Sequence, residues 1–213
     1  KSLRLELDLR NEAQYLKRFG RDFKENQDVH IPKVYEELSN EQVLVQEFVS
    51  GCLLKDIDSL QLSTEQKKVI GTRLADAVLR MVLVNGIFHA DPHPGNIFVN
   101  EQGNLTLIDF GLVGRLNSKR QEEITGLIQA LIEHDELSMQ MILSNWTQQD
   151  NLLDEGRLGQ DVMDIMLNYE HVSLKHLCIS EVINDIVTVI REHQLVLPPE
   201  LVMLFKTLMM VES

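Results

Sequence analysis

Leu5, Leu9, Leu16, Phe19 and Phe23 recur at about 100° per residue, so the start of the chain reads as an amphipathic helix. Glu12 falls inside that apolar stripe, and a carboxylate turned toward a core needs a cationic or hydrogen-bonding partner. Residues 29–38 and 43–49 then read as strands on either side of the turn-rich Ser39-Asn40-Glu41-Gln42, with Pro32 marking an irregular or edge start. A helix is predicted from Ser63, where Gln66 completes a capping box. Ile70, Leu74, Val78 and Met81 supply its stripe and Gly86 stops it. Ile97-Phe98-Val99 and Leu105-Thr106-Leu107-Ile108 read as two strands around a polar, Gly-containing loop, which predicts a hairpin. From there the pattern is helical. Ser118 and Gln121 cap a helix carrying Ile124, Leu127, Ile128 and Leu131, further helices fall near 136–146, 158–168 and 180–193, and Pro198-Pro199 opens the last. No internal repeat or low-complexity tract interrupts the series.

The hairpin gives the polar residues around it their meaning. Just before it stands His89-Ala90-Asp91-Pro92-His93-Pro94-Gly95-Asn96, of the form H-x-D-x-x-x-x-N, and just after it Asp109-Phe110-Gly111. An antiparallel ribbon returns its ends to one place, so Asn96 and Asp109 are expected side by side at its open end, with Asp91 on the loop ahead. An amide oxygen and a carboxylate form a hard-oxygen pair of the kind magnesium prefers, with water and nucleotide phosphate as its other ligands. The order and spacing of the two motifs describe the catalytic and metal loops of the protein-kinase fold. In such a layout Glu12 is the glutamate of the helix that kinases call αC, which holds a phosphate-binding lysine. The competing reading of Glu12 is a structural ion pair or fraying of the N-terminal end of the helix. No lysine of the chain is an evident partner, and neither a V-A-I-K-like strand nor a Gly-rich loop precedes the helix. Glu47-Phe48-Val49-Ser50-Gly51 falls where a kinase has its hinge, where the backbone of Glu47 and Val49 can pair with an adenine edge; taken alone, it is a strand end with a Gly turn.

Bulk numbers narrow the partners. At 213 residues, 44% hydrophobic and 25% charged, the chain can bury a sizeable core. A net charge of −13 argues against nucleic acid, which is bound mainly by clustered Lys and Arg. Cys52 and Cys178 stand alone, which fits a reducing compartment and no disulfide or zinc framework. There is no apolar run of about 18 residues and no signal-peptide pattern, so a soluble chain without a transmembrane helix is expected. It begins with Lys1 and enters helical periodicity at once, as a segment of a longer protein would.

The motifs together resemble a known family. Glu6-Leu7-Asp8 with Arg10-Asn11-Glu12-Ala13, the stretch Ile31-Pro32-Lys33-Val34-Tyr35-Glu36-Glu37-Leu38, the loop from Phe88 to Asn96, and Leu107-Ile108-Asp109-Phe110-Gly111-Leu112-Val113-Gly114-Arg115-Leu116 resemble the UbiB-like, aarF-domain atypical kinases. That resemblance implies an α+β, protein-kinase-like fold: residues 1–50 as a truncated N-lobe, helix αC plus a few antiparallel strands ending in the hinge, and residues 51–213 as a mainly helical C-lobe. It implies Asp91 as the catalytic-loop aspartate, Asn96 and Asp109 as metal ligands, Glu12 as the αC glutamate, and Glu6 with Asp8 as the family's E-x-D element. It further implies ATP and Mg2+ as cofactors, a role in ubiquinone or other prenyl-lipid metabolism, and prenyl lipids or lipid enzymes as partners. The place implied is cytoplasmic, with peripheral association at a bacterial inner membrane as an option, or mitochondrial or plastid in a eukaryote. The upstream K-x-G-Q helix, the alanine-rich loop and the lysine strand of the family pattern are not within this sequence, so activity belongs to the intact protein.

Only residues 112–117 separate D-F-G from the next helix and no A-P-E follows, which leaves little room for a peptide platform and points to a non-protein acceptor or water. His93 occupies the loop position where protein kinases have lysine, as in small-molecule kinases of the aminoglycoside and choline type, a lesser alternative. A rival reading takes His89, Asp91 and His93 as an H-x-D-x-H zinc cluster, but Pro92 and Pro94 hold the loop extended and no third anchored ligand group is evident. His89 reads better as a core histidine bonded to nearby backbone. The alternative from another class is a non-catalytic nucleotide- or lipid-binding regulatory scaffold. Met203, Met209 and Met210 read as core in preference to a lipid groove.

Overall fold

The computed structural model describes residues 8–146, 154–170 and 178–212, and the chain divides into two compact units, Lys1–Gly114 and Arg115–Ser213. The first unit opens with helix α1 (Leu9–Asp22), capped by Asp8, whose side chain accepts the Arg10 N–H. Leu16, Phe19 and Phe23 of the predicted stripe are buried, while Leu5 lies outside the described residues. Strand β1 (Val29–His30) follows, then β2 (Cys52–Leu53), α2 (Thr64–Arg80), β3 (Ile87–His89), β4 (Ile97–Val99), β5 (Leu105–Leu107) and β6 (Val113–Arg115).

The strands predicted over 29–38 and 43–49 are much shorter than expected. Only Val29–His30 is a strand there; Val34 and Gln46 form a single antiparallel bridge, and Glu36–Leu38 is a 3-10 turn. The pairing that remains is the Tyr35 N–H to the Val45 carbonyl at 2.9 Å and the Glu47 N–H to the Lys33 carbonyl at 2.7 Å. Pro32 has no N–H to give a ladder. The hydrophobic positions between them are consumed by burial of Ile31, Pro32 and Val34, not by extended pairing.

The predicted hairpin forms, with Ile97 opposite Leu107, Phe98 opposite Thr106 and Val99 opposite Leu105. It is the centre of a four-stranded sheet ordered β1-β5-β4-β2, in which β1 runs parallel to β5 and the other pairs are antiparallel. Ile97, Val99, Leu105 and Leu107 are fully buried, and α2 packs against β5 with its own stripe of Ile70, Leu74, Ala77 and Val78. Alternation therefore puts Phe98 and Thr106 on the opposite, half-buried face. The Ser63–Gln66 capping box of α2 is present in full, and the helix runs through a π segment, Met81–Asn85, to Gly86 at φ 63°. That left-handed residue favours glycine and delivers the chain to β3. Arg73 of α2 reaches the Asp28 carboxylate at 2.8 Å, the Gln102 carbonyl at 3.1 Å and Asn104 Oδ1 at 3.1 Å, tying the hairpin tip to the loop before β1.

The second unit is a succession of helices, α3 (Ser118–Glu133), α4 (Glu136–Ser144), α5 (Glu155–Tyr169), α6 (Ile179–Glu192) and α7 (Pro199–Glu212), each packed on the next. Asn117, not Ser118, caps α3, its Oδ1 accepting the Arg120 N–H at 2.9 Å. Ile124 and Leu127 are buried as expected, while Ile128 is surface-exposed and Ala130 takes its place in the core. Met203 and Met210 are half-buried and Met209 is exposed; Leu201, Leu204 and Phe205 form the buried side of α7.

Candidate functional site

The loop between β3 and β4 is held by its own hydrogen bonds. His89 is 1% exposed, and its Nε2 lies 3.0 Å from the Ile108 carbonyl while its Nδ1 lies 3.2 Å from the Asp91 N–H. A carbonyl only accepts and an amide only donates, so the ring carries its proton on Nε2 and is neutral. Burial pushes its pKa down, against the Ile108 hydrogen bond and the charges of Asp109 and Asp91. His89 is thus a core histidine bridging the residues just before Asp109 and at Asp91, as the sequence favoured. Phe110 is fully buried between His89 and Phe19 of α1, with ring centroids 4.8 and 4.6 Å away. The D-F-G segment is in this way anchored to both the loop and α1.

Asn96 lies across the ladder from Ile108, whose N–H donates to the Asn96 carbonyl at 2.9 Å. Asp109 is the next residue, so the structure brings both to the open end of one hairpin. The Asn96 side-chain amide donates to the Asp91 carbonyl at 3.3 Å, which leaves its Oδ1 as the free acceptor. Asp109 sits at φ 58°, a left-handed conformation that is costly for a residue with a Cβ and recurs at functional sites. Its Oδ1 accepts the Gly111 N–H at 3.3 Å. Asp91 is half-buried, its backbone engaged on both sides by His89 and Asn96.

Glu12 of α1 faces the same segment. Its carboxylate is held above the ordinary range first by burial and then by the nearby charge of Asp109, against the Phe110 N–H that it accepts. Carboxylate and amide oxygens of this kind are hard donors suited to a divalent cation, and a small oxygen-loving ion fits them better than zinc. Among the described residues no group of three or more His, Cys, Asp and Glu side chains converges as a metal cage; the candidate donors are Asn96 Oδ1 and the Asp109 carboxylate. The zinc cluster read from H-x-D-x-H loses its first ligand, because both His89 nitrogens serve backbone; His93 Nδ1 in turn accepts the Gly95 N–H at 3.0 Å.

The hinge stretch has two sides. The Glu47 carboxylate turns to His30 Nε2 at 2.9 Å and the Lys33 N–H at 3.1 Å, and the Lys33 bond holds its pKa below the usual carboxylate range. The sequence pattern points to the backbone of Glu47 and carries no sign of the His30 contact, because 17 residues separate the partners. A cleft of about 600 Å³ lies along this side, lined among others by Lys24, His30, Glu47, Phe48, Val49 and Thr106. None of Asp91, Asn96 and Asp109 lines it, so it is not the phosphate end of the candidate site. Asp8 caps α1 and pairs with Arg10 at 2.7 Å, which lowers its pKa; Glu6 lies outside the described residues.

The ABC1 atypical kinase-like domain matches residues 1–143 and the UbiB helical domain matches residues 162–213. The chain is 33% identical to protein slr0889 of Synechocystis sp. over 92% of this chain and 51% of that protein. It is 31% identical to a protein of Vibrio vulnificus and 30% identical to one of Histophilus somni, both named "Probable protein kinase UbiB", over all of this chain and 40% of theirs. The chain therefore spans about half or less of the length of these relatives. The solved structure of Rv3197 from Mycobacterium tuberculosis in complex with erythromycin matches with a TM-score of 0.61 over 97% of this chain and 55% of that one, at 22% identity, which is a likeness of fold. No described helix is long and apolar enough to cross a membrane.

Proposed function

Because the chain belongs to the ABC1 atypical kinase-like family and carries a UbiB helical domain, we propose that it is the phosphoryl-handling part of an atypical kinase or ATPase that binds Mg-ATP. In this reading it acts in ubiquinone or other prenyl-lipid metabolism, on a non-protein acceptor or on water, residues 1–50 being the remnant of the nucleotide-side lobe and 51–213 the helical lobe. The observation that carries it is the meeting of Asn96 and Asp109 at one hairpin end with the half-buried Asp91 on the loop that Asn96 bonds. Asn96 Oδ1 and the Asp109 carboxylate would hold magnesium, whose charge, when bound, offsets that of the nucleotide phosphates. The chain's own part is positional. Asp91 accepts a hydrogen bond from the attacking hydroxyl or water and aims it, and the backbone of Glu47 and Val49 offers the adenine edge its pairing groups. Phosphoryl transfer asks mainly for positioning and charge neutralisation, so a few well-held oxygens matter greatly. The short run from β6 to α3, with Ser118 already helical, supports an acceptor other than a folded protein.

The test uses the full-length protein. Asp109→Asn is expected to remove magnesium-dependent nucleotide binding, and Asp91→Asn to spare binding while lowering ATP turnover by about 10²–10⁴. Equal basal turnover in wild type and Asp91→Asn would overturn the catalytic reading in favour of a nucleotide-binding scaffold.

A further inference from the structure

The one-turn 3-10 segment Pro94–Asn96 delivers Asn96 to the hairpin, and its N-cap residue, His93, accepts both of its free amides. Pro94 has no N–H, so the turn has two amides to satisfy. The Gly95 N–H donates to His93 Nδ1 at 3.0 Å and the Asn96 N–H to the His93 carbonyl at 2.7 Å. The ring lies flat enough against the turn that a Cβ on Gly95 would stand 3.1 Å from Nδ1. His93 is itself exposed, so core packing does not explain the orientation of its ring; the Gly95 N–H bond to Nδ1 does. Asn96 is then fixed from three directions: its N–H by His93, its carbonyl by the Ile108 N–H, and its side-chain amide by the Asp91 carbonyl.

We propose that His93 is a positioning residue for Asn96: its imidazole caps the turn through Nδ1 and so holds Asn96 Oδ1 at the open end of the hairpin, without touching cation or nucleotide. This rests on the reading of Asn96 as a metal ligand. Asparagine, a short side chain with one acceptor oxygen, can cap in the same way, whereas alanine cannot.

In the full-length protein, Mn2+ binding in the presence of ADP is followed by electron paramagnetic resonance for wild type, His93→Ala, His93→Asn and Asn96→Ala. Thermal unfolding, metal-free ADP binding and amide hydrogen exchange are measured alongside. His93→Ala is expected to raise the Mn2+ concentration for half-saturation about 5–10-fold, the scale of outer-shell effects on metal affinity. Metal-free ADP binding and the melting temperature should stay near wild type while exchange at Gly95 and Asn96 speeds up. His93→Asn is expected to restore metal affinity to within about twofold of wild type. The proposal is overturned if His93→Ala binds Mn2+ like wild type while Asn96→Ala does not, or if His93→Asn fails as badly as alanine, which would mean direct contact through the ring. It is equally overturned if His93→Ala loses metal-free ADP binding and stability in the same proportion as metal affinity, the mark of a merely structural role. If Asn96→Ala itself leaves Mn2+ binding unchanged, the metal-site reading has failed, and the positioning role with it.

Discussion

Glu12 is a half-buried carboxylate whose pKa is pushed up first by burial and then by the charge of Asp109, against the Phe110 N–H that it accepts. A carboxyl whose folded pKa is raised favours folding most below its ordinary value of 4.5, and that advantage is lost as pH rises through the folded value. At neutral pH the ionised pair is therefore a cost, so Glu12→Gln should raise the melting temperature of the metal-free protein by about 1–3 °C. Magnesium and nucleotide should shrink that gain, and a calorimetric scan with and without them checks both. His89 gives the opposite sign. Its folded pKa is depressed by burial, so the stability that goes with the neutral ring is complete above the ordinary value of 6.5 and is lost as pH falls from there toward the lowered folded value. Urea unfolding between about pH 7.5 and pH 5 should show a fall in wild type that His89→Gln lacks. At this scale the sequence was informative about identity and poor about partners. The position of Glu12 in an apolar stripe announced a carboxylate in need of company, but not that the company would be Asp109 and the Phe110 N–H, nor that His93 would cap the turn beside it.

Among the elements, those written by local periodicity came out as expected and those needing a neighbour did not. The hairpin of β4 and β5 was legible because both strands and their loop lie in one short stretch, with turn chemistry between alternating residues. The Ser63–Gln66 cap of α2 was legible for the same reason, and Ser63→Ala should cost about 1 kcal/mol in denaturant unfolding. The strands over 29–38 and 43–49 were not, because apolar residues there are buried by packing while only a two-bond ladder joins the segments. Gly114 shows what no local pattern reveals. A Cβ there would stand 2.1 Å from the tip of the Phe88 ring, which is itself fully buried. Gly114→Ala must displace that ring, and a loss of about 1–3 kcal/mol or more is expected from the shift of the denaturation midpoint. Beside it, Phe88 precedes His89, so the variant should also weaken nucleotide binding.

At the scale of the whole molecule, the net charge of −13 reads as solvated acid, but one acidic residue departs from that rule. Glu123 is 7% exposed; its Oε2 accepts from Arg120 at 2.5 Å and from Trp146 Nε1 at 2.9 Å, and Arg120 continues to Glu200 at 3.2 Å. These contacts tie α3, Trp146 two residues past α4, and α7 within the second unit. Arg120→Leu leaves the buried Glu123 with Trp146 Nε1 and the more distant Lys119, so it should destabilise that unit by about 1–3 kcal/mol. Trp146 is the only tryptophan of the chain, and its fluorescence during guanidinium unfolding reports the loss. Nothing in the sequence marked Glu123 for the interior, since its i−3 arginine is the ordinary pattern of a solvated helix face. The kinase-like assignment survives such local misses because it depends on two short motifs joined by one hairpin, and both the motifs and the hairpin are local. The measurement that bears on it most directly is the stoichiometry of Mn2+ bound with ADP to the full-length protein, wild type against Asp109→Asn. The account predicts nucleotide-dependent Mn2+ binding to wild type that Asp109→Asn weakens by at least about tenfold with the fold intact. Equal Mn2+ binding by the two proteins would contradict it.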